Sequence, residues 1–298
     1  MSLDGSVVIA LDGSPHSAQT LEWGMSEATL RRADVLLVRA SPDTLDINRL
    51  GWYPLLEDQL FETEARDYLT ATLAHARERW PGVDVSSRLV LGQEVPVLRD
   101  VSRGAGLLVV GARGRSGRRR LGSTGSHVAS HAHCPVAVVR APVGAADADA
   151  PVVVGVDGSA SSLGAAEVAA DEAVLRGAPL VVVHARPTRL GPYGDPERPA
   201  PGTDPQDGAD DAPGSVDEVA QALVRARPGL QVTVDERFDD PPAALLEVGA
   251  DAQLVVVGSR GLGAFRGLLL GSVSSEVLRQ AQRPVLVVRS GADDAGHG

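Results

Sequence analysis

Four small residues at fixed spacing, Gly258, Gly261, Gly271 and Ser272, stand between the apolar run Leu254 to Val257 and the helix-like stretch SVSSEVLRQAQ. Glycine has no Cβ, so at Gly258 and Gly261 the backbone can take positive φ and approach a ligand closely. Gly271-Ser272 opens a helix, whose first N–H groups lack partners and whose dipole end is positive. A loop of free amides ending on a helix N-terminus suits an anion, most simply phosphate. A plain strand-to-helix turn is the competing reading of any one such loop.

The loop does not stand alone, because the chain repeats itself. Val7 to Ser14, VVIALDGS, returns as Val152 to Ser159, VVVGVDGS, at an offset of 145. Glu27 to Ala33 returns as Glu172 to Ala178 at the same offset. LLVVGARG, from Leu107, returns as LVVVGSRG, from Leu254, and CPVAVVR, from Cys134, as RPVLVVR, from Arg283. The protein is two copies of one unit. The Ala/Pro/Gly/Asp-rich stretch between them reads as a linker. Residues 1–141 are then a first domain, 142–150 the linker, 151–290 a second domain and 291–298 a tail expected to be disordered.

The elements that hold these loops follow from apolar patterning. In the first copy, Val7 to Leu11, Val35 to Val38, Leu107 to Val110 and Val136 to Val139 are short β-branched runs, so buried strands. Val83 to Val90 is more polar and reads as an edge strand. Asp12-Gly13-Ser14-Pro15 predicts a turn, a Ser14 N-cap and Pro15 at the first helical position. A helix with Ala18, Leu21, Met25 and Ala28 on one face follows. Glu57 to Trp80, Val95 to Ser102 and Gly122 to His131 are further helices. The second copy repeats this with strands near Val152, Leu180, Val232, Leu254 and Val285. Its segment Arg186 to Ser215, rich in Pro, Gly and Asp, is expected to be a mobile loop. Strands alternating with helices imply an α/β fold with doubly wound parallel sheets. Ligands of such sheets sit beyond the carboxyl ends of the strands, where the winding reverses. If strands one and four are neighbours, Asp12 shares a crevice with Gly111, and Asp157 with Gly258.

Composition narrows the chemistry. The 298 residues carry a net charge of −11, which disfavours nucleic acid and anionic membranes as partners. All 28 basic residues are Arg, so a P-loop lysine and Schiff-base chemistry are excluded. A single cysteine, Cys134, forms no intrachain disulfide and suits a reducing compartment. Residues 1–20 show no basic-then-apolar pattern and no apolar run reaches 18 residues, so a cytoplasmic location is expected.

These residues resemble the universal stress protein family in its tandem form, over nearly the whole chain. Gly258, Gly261, Gly271 and Ser272 match the family pattern G-x2-G-x9-G-[ST]. The DGS opening of each copy and the closing RPVLVVR are also similar. The resemblance implies two five-stranded sheets of order 3-2-1-4-5, adenine nucleotide α-hydrolase-like, with ATP at the switch point, with or without Mg2+. By position, Asp157 would meet the ribose or adenine side and Ala185 would line the adenine. Gly258, Arg260, Gly261, Gly271, Ser272 and Val273 would wrap ribose and phosphates. Asp12, Ala40, Gly111, Arg113, Gly114, Gly122, Ser123 and Thr124 are the first-copy counterparts. That copy departs from the pattern: only seven residues, Arg115 to Leu121, separate Gly114 from Gly122. Its loop arginines, Arg113, Arg115, Arg118, Arg119 and Arg120, either hold phosphate by charge-assisted bonds or stay solvated.

Other constellations are weaker. Asp12 and Asp157 also suit plain turn and cap roles. His127, His131, His133 and Cys134 invite zinc, yet the second copy has Glu276, Gln280, Gln282 and Arg283 there, and no metal is expected. No nucleophile elbow, dinucleotide fingerprint or identifiable general base is present, so no catalytic residue is assigned. The expected function is a nucleotide-dependent stress-response regulator with an unidentified protein partner. The alternatives are a slow ATP hydrolase and a nucleotide-free interaction module. The apolar fifth strands are expected to pair the two copies into an intrachain pseudo-dimer, with homodimerisation left open.

Overall fold

The structure, a computed structural model, describes residues 5–41, 55–112, 123–140, 147, 149–186, 215–262 and 270–289. The expected tail 291–298, nearly all of the loop 186–215 and most of the linker 142–150 lie outside them. The chain divides into two compact units, Met1–Gly144 and Ala145–Gly298.

In the first unit, β1 (Ser6–Ala10) is followed by α1 (Ser17–Arg31), β2 (Val35–Ser41), α2 (Leu55–Arg79), β3 (Val85–Leu91), α3 (Glu94–Val101), β4 (Ala105–Gly111), α4 (Ser123–His131) and β5 (Val136–Val139). The strand order is β3-β2-β1-β4-β5, and the pairings are parallel. β1 and β4 bury almost every side chain because helices cover both faces. β3 has one buried, four half-buried and two exposed residues, as the polar third run predicts.

The second unit repeats this. It holds β6 (Val152–Gly155), α5 (Ala160–Arg176), β7 (Leu180–Ala185), α6 (Val216–Ala226), β8 (Val232–Arg237), α7 (Pro241–Val248), β9 (Leu254–Gly258), α8 (Ser272–Gln280) and β10 (Val285–Val288). The order is β8-β7-β6-β9-β10, again parallel. Both sheets therefore have the 3-2-1-4-5 order implied by the sequence resemblance. The first and fourth strands of each unit are neighbours, so the expected crevice exists in each. Glu172 of α5 is buried, and its charge is met by Arg176 one turn on; Glu27 and Arg31 repeat the pair in α1.

Two local expectations are corrected. Ser14 does not cap α1, and Pro15 is not its first residue: the helix starts at Ser17, with His16 at the N-cap and no side-chain cap. The Ser17 N–H closes a turn onto the Ser14 carbonyl at 3.0 Å, and the Ser17 hydroxyl is drawn to Asp12. The chain thus completes one more turn before the helix begins. In the second unit the same sequence position behaves as expected, since Ser159 caps α5 and accepts from the Ser162 N–H. Ala18 is exposed, whereas Leu21, Met25 and Ala28 are buried. The inward face is centred on Thr20, Gly24 and Glu27, which leaves Ala18 on its flank.

Candidate functional site

β6 lies between β7 and β9, and the chain leaves β6 and β9 toward opposite faces of the sheet. That divergence opens a crevice at their carboxyl ends. Asp157, two residues past β6, spans it. Its Oδ1 accepts from the Ser159 N–H at 3.0 Å and from the Ser159 hydroxyl at 2.6 Å. Its Oδ2 accepts from the Leu262 N–H at 3.0 Å, in the loop after β9. Burial pushes the Asp157 carboxyl up, but these bonds from Ser159 and Leu262, with Ser162, outweigh it and hold the group below the usual carboxylate range. Asp157 is therefore an anionic clasp between two loops that are about 100 residues apart in sequence.

The glycines serve this clasp through the side chains they lack. Neither Gly258 nor Gly261 has positive φ. A Cβ on Gly258 would lie 2.8 Å from the Ser161 carbonyl carbon and 2.9 Å from its oxygen, and one on Gly261 would lie 2.4 Å from Asp157 Oδ2. What each position lacks is room for a side chain, because the opposite loop packs on it. The loop amides are not all free either. The Ser259 N–H goes to the Val288 carbonyl, the Gly271 N–H to the Ser259 carbonyl and the Arg260 N–H to the Ser161 hydroxyl. Among the described residues, donors that can face a ligand stand at the start of α8. Gly271 is its N-cap and supplies no side chain, and the Ser272, Val273 and Ser274 amides precede the helical ladder. A Cβ on Gly271 would rest in ordinary contact with Arg260, Gly261 and Ser259, the nearest atom at 3.5 Å, so the N-cap is packed against the loop that follows β9. The Ser274 hydroxyl donates to the Gly258 carbonyl at 2.5 Å and ties the helix to β9. Ala185 ends β7 opposite Arg237.

The first unit brings Asp12, Ala40 and Gly111 to the same rim, at the ends of β1, β2 and β4. Asp12 Oδ1 accepts from the Ser14 N–H at 2.9 Å and the Ser17 hydroxyl at 2.8 Å. Ala40 sits opposite Val90 and Gly111 opposite Val139. Arg113, Gly114, Gly122 and the remaining loop arginines lie outside the described residues. Ser123 begins α4, and the Thr124 hydroxyl donates to Glu94 Oε2 at 2.7 Å. Reading the sequence missed this contact, and it missed Arg39, whose guanidinium lies over the Tyr68 ring at 5.1 Å. It also missed the serines that ligate Asp12 and Asp157. Their signal was available: Ser14 and Ser17 recur as Ser159 and Ser162 at the offset of the repeat.

The His/Cys cluster is used otherwise. His131 Nδ1 contacts the His127 carbonyl, and the His133 N–H donates to the Ser102 hydroxyl. Burial pushes the Cys134 thiol up to about 12. Among the described residues, no group of three or more His, Cys, Asp or Glu side chains is arranged to hold a metal. None of their helices is long and apolar enough to cross a membrane. A cavity of about 320 Å³ between α7, α8 and β9, lined by Leu245, Val255 and Val277 among others, contains none of the crevice residues.

The repeated crevice has a counterpart among known proteins. Residues 5–140 and again 150–289 match the Universal stress protein family. The chain belongs to the universal stress protein family. A universal stress protein of Mycobacterium tuberculosis strain H37Rv is 36% identical over 318 aligned positions, covering 97% of this chain and 96% of its own. A second from the same strain is 35% identical, covering 95% and 96%. The fold is shared with the crystal structure of a universal stress protein from Archaeoglobus fulgidus, at a TM-score of 0.72, 19% identity and 97% coverage of both chains.

Proposed function

We propose that this tandem universal stress protein binds ATP in the crevice of its second unit and acts as a nucleotide-dependent regulator in the cytoplasm, through a protein partner. The observation that carries the reading is the pairing of two opposite chemistries across one crevice. Asp157 presents a carboxylate, which suits hydroxyl donors such as those of a ribose. The amides of Ser272, Val273 and Ser274 present a positive helix end, which suits phosphate. Gly258 and Gly261 keep the two loops close enough to frame a phosphate at that helix end. Arg260 and Ala185 complete the rim. Asp157 is a poor general base, because bonds from Ser159 and Leu262 stabilise its anion; binding is favoured over hydrolysis. In the first unit Asp12, Ala40, Gly111, Ser123 and Thr124 frame the corresponding rim, with Arg113, Gly114 and Gly122 in its loop.

The test is to denature freshly purified protein, identify released nucleotide by chromatography and then titrate the refolded or nucleotide-free chain with ATP. About one ATP per chain is expected by assigning the site to one unit, and Gly261→Glu, which drives a second carboxylate at Asp157, is expected to abolish it. No released nucleotide together with a flat titration overturns the reading.

A further inference from the structure

The cavity of about 320 Å³ between α7, α8 and β9 has walls that the chain holds in place. Leu245 of α7 reaches Gly155 of β6, where an added Cβ would lie 2.7 Å from its Cδ1. Val255 of β9 turns toward Gly249, with its Cγ2 2.7 Å from where a Cβ would be. The two glycines thus let α7 settle onto the sheet, while Val277 of α8 and Ala281 just past it supply the facing wall. The walls are tied together at the rim, because Arg283 Nε donates to the Ala250 carbonyl at 2.8 Å. Among the described residues no charged side chain lines the cavity; its polar edge is Gln280 and Gln282.

The first unit closes the same joint with a hydrogen bond. Ser102, just after α3, is fully buried. Its hydroxyl donates to the Arg99 carbonyl at 2.6 Å and accepts the His133 N–H at 2.8 Å. In the repeat, Gly249 stands for Ser102 and Gln282 for His133. Gly249 has a φ of −77°, which any residue adopts, so the backbone does not require glycine there. What the replacement removes is the acceptor: among the described residues, no group accepts the Gln282 N–H. A main-chain N–H is an obligatory hydrogen-bonding group, and this one stands at the edge of an apolar cavity.

We infer that the cavity is a ligand site separate from the crevice, taking a small neutral molecule with an apolar body and one hydrogen-bond acceptor, such as a phenol. The site is independent of the nucleotide reading. An apolar cavity of about 150 Å³ already holds a benzene ring, so one substituted ring fits here. An ion would lose its hydration and find no countercharge. Leu245, Val255, Val277 and Ala281 take the body of the molecule and the Gln282 N–H takes its acceptor, the usual division of labour in a largely apolar pocket. In the first unit the Ser102 hydroxyl already serves that donor, so the site belongs to the second.

The experiment is an amide NMR titration of the full chain with p-cresol and, separately, with p-xylene, which has nearly the same shape and no acceptor. Both are expected to saturate and to shift the amides of Val255 and Val277, and p-cresol alone to move the Gln282 amide downfield. Ala250→Trp, at an exposed residue of the rim, is expected to weaken both ligands roughly tenfold or more at an unchanged urea midpoint. Gln282→Pro removes the donor, and Ala281 before it already has a ψ of 138°, as a residue preceding proline prefers. That variant is expected to weaken p-cresol roughly 2- to 12-fold, the range of one neutral hydrogen bond, and to leave p-xylene unchanged. Shifts that do not saturate, or full affinity in Ala250→Trp, overturn the inference, as does an equal effect of Gln282→Pro on the two ligands. A parent dimer that binds neither ligand and is dissociated by Ala250→Trp gives the cavity to a second copy of the chain, and overturns it too.

Discussion

Gly261→Ala turns the geometry of the crevice into a number. The new methyl would sit 2.4 Å from Asp157 Oδ2, against an ordinary carbon–oxygen contact of about 3.3 Å or more. The carboxylate must retreat by about 1 Å, which takes the 3.0 Å bond from the Leu262 N–H beyond hydrogen-bonding range. A bond to a charged group is worth about 1.5–3 kcal/mol, so the unfolding free energy is expected to drop by about that amount. Urea unfolding measures it, as a shift in midpoint at constant slope. The decisive arm is a double-mutant cycle with Asp157→Ala. Once the carboxylate is gone there is nothing for the methyl to strike, and Gly261→Ala is expected to cost less than about 0.5 kcal/mol. An equal cost in both backgrounds would show that Gly261 is needed for some other reason, and the clasp argument would fall.

Two further outcomes follow from the same geometry. Gly271→Ala is expected to fold with a loss below about 1 kcal/mol, since its backbone is extended and only N-cap preference changes. ATP affinity is expected to stay within a few-fold, because the methyl rests in ordinary contact with Arg260, Gly261 and Ser259; a loss of about tenfold or more would show that the methyl reaches the ligand. The Asp157 carboxyl is held below its ordinary value, so its contribution to stability is full above the unfolded pKa of about 3.9 and disappears as pH falls through the lower folded value. The difference in unfolding free energy between the parent and Asp157→Asn should therefore shrink between pH 6 and pH 3, and a constant difference would argue against the clasp.

The sheets were legible because their signals are local. Apolar runs of four or five β-branched residues can be buried on both faces only as parallel strands, and the repeat fixed which run was which. The Asp157 site was legible as a place and not as a mechanism. Gly258 and Gly261 announce that a side chain is forbidden, but what forbids it, Ser161 and Asp157, comes from about 100 residues earlier. From the chain alone, positive φ and a crowded neighbour give the same residue. The start of α1 was misread for a similar reason: Ser-Pro is a good local helix opening, and the pull of Asp12 on the Ser17 hydroxyl is a property of the folded turn.

The two copies also show how one frame comes to treat anions differently. In the second unit α7 begins with Pro241, and Val273, the second residue of α8, offers nothing but its amide. In the first unit the corresponding positions are Glu94 and Thr124, joined at 2.7 Å, so a carboxylate already lies at the positive end of α4. An incoming phosphate would meet like charge there, whereas Pro241 and Val273 carry none. The second strands diverge too. His184 Nδ1–H donates to the Val156 carbonyl while its Nε2 accepts from Arg186, which turns the ring onto the backbone. Arg39, at the same position, instead sets its guanidinium against Tyr68 and Gly13, with Nη1 2.8 Å from where a Gly13 Cβ would be. At matching positions the first rim thus gains a carboxylate, Glu94, and a guanidinium, Arg39, that the second lacks, while the strand order is the same in both units.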